Sequence, residues 1–72
     1  MTPTIKETIE GMSQAGISAV KEGKMRIAIA AINNISGFRD AAMKHGKFTA
    51  EDEAIYDFNI FALEEAIGGT RP

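Results

Sequence analysis

Apolar residues recur along this chain at helical rather than strand spacing. In residues 25–43, M-R-I-A-I-A-A-I-N-N-I-S-G-F-R-D-A-A-M, a rotation of about 100° per residue gathers Ile27, Phe38, Ala31, Ala42, Ile35, Ala28, Ile32, Met25, Met43 and Ile29 into one arc. That arc covers roughly half the helix circumference, against the ~100° stripe of an ordinary surface helix. Asp40, Asn33, Arg26, Lys44, Gly37, Ala30, Ala41 and Asn34 share the remainder. One neighbouring helix cannot cover so wide an arc, so a second must come from this chain or from another copy. Arg39 projects inside the arc, between Ala28 and Ile32. Two roles fit it. Its stem can lie on apolar surface with the head in water or paired to an acid of the last helix, or its guanidinium fork can contact an anion or ligand. Ser36 and Gly37 weaken the helix locally, which suits a close backbone approach or a slight kink.

Ahead of this stretch, Thr2-Pro3-Thr4 starts a first helix in one of two ways. Either Thr2 caps it with Pro3 in the first position, or Thr4 caps it in a box with Glu7. Ile5, Ile9, Met12 and Val20 then share a face, with Gly16 and Ala19 filling the same side. Gly11 and Gly16 argue against a straight helix over 11–18, while the low bulk of S-Q-A-G-I-S-A suits close helix contact. Gly23 is a stop signal, and the short connection it leaves makes the first two helices antiparallel neighbours. The second helix is predicted over about 24–45, closed by Gly46.

Thr49 caps a third helix over about 50–67, with Glu51, Asp52 and Glu53 in its first turn, where acids are stabilised. On it Tyr56, Ile60, Leu63 and Ile67 form one apolar face, and Ile55, Phe58, Ala62 and Ala66 an adjoining one. Phe61 points away from both, between Glu64 and Glu65 and near Asp57. The tail from Gly68 onward is expected to fray. The pattern therefore predicts an all-α, single three-helix domain over 1–72: a helical hairpin with an acidic C-terminal helix packed across it.

Seventy-two residues make a marginal core, and with no cysteine neither a disulfide nor a thiolate metal site can reinforce it. Surplus apolar surface on two helices predicts a homo-oligomer, a two-fold dimer being favoured. The polar N-terminal stretch lacks a secretory signal, and no run reaches the ~18 apolar residues of a membrane span. A cytoplasmic protein with no membrane partner is the expectation. Charge is unevenly placed. Residues 21–47 carry Lys21, Lys24, Arg26, Arg39, Lys44 and Lys47 against Glu22 and Asp40, whereas residues 51–67 carry six acids and no base. Such segments attract one another, within a chain or between chains.

Candidate chemistry is sparse. No phosphate-binding glycine loop, zinc spacing or nucleophile elbow is present. His45 is the only histidine, at a helix end beside Lys44 and Lys47, where it reads as solvated. Glu53 and Asp57 stand at i, i+4, but a cation site needs more oxygen ligands than these two supply. The expectation is a non-enzyme with no catalytic residue, no cofactor and no metal. The interaction candidates are Arg39, Asp57, Phe61 and Glu64, with Phe61 as an aromatic anchor on an acidic face. For nucleic acid the basic stripe is thin, because Asp40 shares the polar side of the second helix with Arg26 and Lys44.

Two stretches carry resemblances. E-G-K-M-R-I-A-I-A-A-I-N-N-I-S-G, residues 22–37, resembles a pattern in short helical phage and prophage proteins, where a Gly-Lys turn precedes an Ala-rich helix. K-F-T-A-E-D-E-A-I-Y, residues 47–56, is similar to the loop-to-helix segment of the Hha and YmoA co-regulators, which act through a nucleoid protein. The first implies a mobile-element protein that binds and modulates a host protein. The second implies a nucleic-acid-associated transcriptional co-regulator, the alternative reading. Neither supplies site residues.

Overall fold

Thr4, not Thr2, starts the first helix in the computed structural model, which describes residues 2–69. The Glu7 backbone N–H donates to Thr4 Oγ1 at 3.1 Å, and the Thr4 N–H donates back to Glu7 Oε1 at 3.0 Å. This reciprocal box satisfies two donors that a helix start leaves without partners. Thr49 and Asp52 repeat it at the head of the last helix. The result is three helices, α1 (Ile5–Lys21), α2 (Met25–Lys44) and α3 (Ala50–Gly68), with no strand among the described residues. Residues 70–72, whose fraying the sequence predicts, lie outside the described residues.

Both connections turn on a glycine in the left-handed region, Gly23 at φ +77° and Gly46 at φ +69°. In each, the glycine N–H and the next N–H reach back to two carbonyls of the final turn: Gly23 to Val20 and Lys24 to Ala19, then Gly46 to Met43 and Lys47 to Ala42. This double closure lets the chain reverse within a few residues. It makes α2 antiparallel to α1, and α3 antiparallel to α2.

Helix α1 is the spine, packed against both other helices, while α2 and α3 meet each other less extensively. Ile9, Ile35 and Leu63, one from each helix, are fully buried, and Ala19, Val20, Ala28, Ala31 and Ile67 complete the core. Each large aliphatic side chain so buried contributes ~1.5–3 kcal/mol. Of the glycines among the described residues, Gly16 is the most closely approached. A Cβ there would stand 2.9 Å from Ala31 Cβ and 2.9 Å from Leu63 Cδ1, so the missing side chain is what lets three helices converge. Despite its two glycines, α1 is an uninterrupted helix through 11–18. Gly37 plays no such part, since nothing lies within 4 Å of its Cβ position, and α2 runs unbroken through it.

Two side chains depart from the sequence expectation. Phe58 does not join the apolar face with Ile55, Ala62 and Ala66; it is 72% exposed. Asn59 takes the core position instead, donating from Nδ2 to its own helix at Ile55 O, 2.8 Å away. On α2 the wide apolar arc is covered only in its centre. Ala28, Ala31 and Ile35 are buried and Met25, Ile32, Phe38 and Ala42 partly so, whereas Ile27, Ile29 and Met43 at the margins stay exposed.

Candidate protein-interaction surface

Arg39 is an internal clamp. Its Nε and Nη2 donate to Glu53 Oε2 and Oε1 at 3.1 and 2.9 Å, a two-toothed pairing across α2 and α3. Its guanidinium carbon lies 4.8 Å from the Tyr56 ring centroid and 5.9 Å from that of Phe48. These rings meet edge to face at 6.5 Å. The Glu53 hydrogen bonds push the Arg39 pKa above its ordinary range, so the cation is permanent. Tyr56 closes the cluster by hydrogen bonding between its hydroxyl and Ser36 Oγ at 3.2 Å. Of the two roles open to Arg39, the pairing with an acid of the last helix is the one its geometry displays. The edge of the fork that would meet an external anion is filled by Glu53.

The other three candidates come together. Asp57, Phe61 and Glu64 follow one another at i, i+4 and i+7 along α3, all exposed. Glu64 borders a groove of about 410 Å³ between α2 and α3, whose remaining walls are Ile29, Ile32, Ile67 and Gly68. At 100° per residue Phe61 stands about 60° beyond Glu64, on the α2-side flank of α3. Phe58 lies about 60° further round, toward the α1 side. α3 therefore carries an aromatic side chain on each outer flank, 63% exposed at Phe61 and 72% at Phe58. Asp57, Glu64 and Glu65 surround them, and no base occurs over 51–67.

Phe58 is the surface residue that sequence reasoning missed. The same rotation places it about 140° from the buried Leu63, which was the available signal. The Glu53–Asp57 pair is not a cation site in waiting, because both Glu53 oxygens already accept from Arg39. Among the described residues no group of three or more His, Cys, Asp or Glu is placed to hold a metal ion, and no helix is long and apolar enough to cross a membrane. His45 is exposed beside Lys47 at the mouth of a second groove, lined also by Ile5, Phe38, Ala41 and Ala42.

No protein-family model matches this chain, and no curated protein or solved structure is significantly similar to it.

Proposed function

We propose that this chain is a small non-catalytic protein-interaction module, of the mobile-element kind, that binds and modulates a host protein in the cytoplasm. One observation carries the reading: two phenylalanines stand in water on the acid-ringed outer side of α3. Burying a phenylalanine is worth ~1.5–3 kcal/mol, and large aromatic anchors dominate the binding energy of protein interfaces. The likeness of residues 22–37 to phage proteins supplies the mobile-element setting, and a cysteine-free sequence suits a reducing compartment.

The nucleic-acid co-regulator reading comes second. The acidic α3 repels phosphate, and Arg39 is committed to Glu53. Affinity capture from host lysate, with and without nuclease, separates the two. The module reading expects a protein partner that survives nuclease and is lost with Phe58→Ser. Retained material that vanishes wholly with nuclease would transfer the case to the co-regulator.

A further inference from the structure

We propose that a second copy of this chain covers the α2-side flank of α3, with α2 of each copy lying antiparallel on α3 of the other about a two-fold axis. This rests on reading α3 as a docking element, and it names the occupant of one of its flanks. Exposed Ile29, Met43 and Phe61 border that side of the molecule, with half-buried Ile32 and Ile60 between them. Ile29 and Met43 lie about 21 Å apart along α2, so the apolar strip runs most of the helix length.

Charge selects the pairing. Of the cations over 21–47, Arg39 alone reaches an acid of α3 among the described residues. Arg26 and Lys44 on α2 and Asp57 and Glu64 on α3 are exposed and form no ion pair there, so the complementarity of the two segments is largely unspent within one chain. Laying α3 on its own copy sets Asp57 and Glu64 against like charges, and laying α2 on its own copy does the same to Arg26 and Lys44. Like-charge juxtaposition suppresses such pairings. α2 on α3 opposes Arg26 and Lys44 to acids, with exposed Asp40 the one like charge it brings, and two-fold symmetry makes that contact twice.

A register for it already exists in the fold, where Arg39 stands level with Glu53 and Ser36 with Tyr56. Carried across to the second copy, the same register sets Arg26 beside the second copy's Glu64. An interface of standard size takes about 800 Å² per partner. That is about a sixth of the chain's 5049 Å² surface. Phe58, about 60° further round α3, stays outside the contact and remains available to another protein.

Sedimentation equilibrium on the full chain tests this, with circular dichroism confirming helix content. The native chain should be a dimer at micromolar concentration. Arg26→Glu and Glu64→Lys should each weaken self-association at least tenfold, and their equimolar mixture should restore a heterodimer. Should either charge variant lose helix, Phe61→Ser, expected to weaken the dimer, is compared with Phe58→Ser, expected to leave it unchanged. A monomer at high micromolar concentration, a dimer indifferent to the charge variants, a mixture that stays dissociated, or equal effects of the two serine variants overturns the proposal. Each of those results leaves the module reading standing if Phe58→Ser still abolishes partner capture.

Discussion

Gly16→Ala and Gly11→Ala make the same chemical change one and a half turns apart on one helix, and the fold predicts opposite signs for them. Nothing lies within 4 Å of a Cβ at Gly11, so alanine there should add the ordinary ~0.5–1 kcal/mol of helix propensity. At Gly16 the new methyl stands 2.9 Å from Ala31 Cβ and 2.9 and 3.1 Å from the two Leu63 methyls. Comfortable carbon contacts begin near 3.5 Å, so something must move by roughly 0.6 Å. Ala31 Cβ is fixed to its backbone, and the Leu63 side chain is fully buried. The helices must part, and overpacking of this kind costs ~1–3 kcal/mol.

Propensity enters both variants equally and cancels in their difference. Gly16→Ala should therefore be ~1–3 kcal/mol less stable than Gly11→Ala, equivalent to at least ~4 °C in Tm for a domain of this size. Urea unfolding at one fixed protein concentration measures it, so that self-association does not enter the comparison. A Gly16→Ala chain as stable as Gly11→Ala would refute the three-helix convergence at that position.

Replacing Arg39 with Met should lower stability by removing a two-toothed ion pair and ring stacking together; Lys should recover only part of the loss, read as urea midpoints with unchanged slope. Glu7 is held below the usual carboxylate range by the Thr4 backbone N–H and hydroxyl. Its contribution is complete above the unfolded-state pKa and lost as pH falls through the lower folded value, so Glu7→Gln should flatten the acid limb of the stability curve. Melting curves of native and Glu7→Gln chains that stay parallel from neutral to acid pH would contradict this. Ile35→Asp puts an unpaired charge at a fully buried site and should abolish the folded helix signal in circular dichroism.

What could be read from the residues alone was local. Thr4 with Glu7, Thr49 with its first-turn acids, and Gly23 and Gly46 announce helix ends because the bonds they make span only a few residues. Arg39 inside an apolar arc could be narrowed to two roles, a stem on apolar surface with its head in water or on an acid, or a guanidinium contact with an anion or ligand. Its actual partner depends on how α3 meets α2. Phe58 was misplaced for a related reason: it lies at the margin of an apolar face, and coverage of a margin depends on where α1 comes to rest. Asn59 is invisible to hydrophobic periodicity because its amide is satisfied by its own helix. Periodicity sets Gly16 on the apolar side of α1 and Gly11 off it, but not how closely the other helices approach. One is pinched by two other helices and the other faces open space.

The convergence at Gly16 also sets an order of assembly. Connections of three and five residues join neighbouring helices, so each hairpin closes a short loop, whereas Gly16 and Leu63 are far apart in sequence. The α1–α2 pair can form while the chain is still emerging, leaving a socket of Gly16 and Ala31 that stays empty until Leu63 arrives. Leu63 is the plug, and it is synthesised after both walls of the socket. Mutations within the first hairpin should then act mainly on how fast the chain folds. Trimming Leu63 should act mainly on how fast the finished structure comes apart.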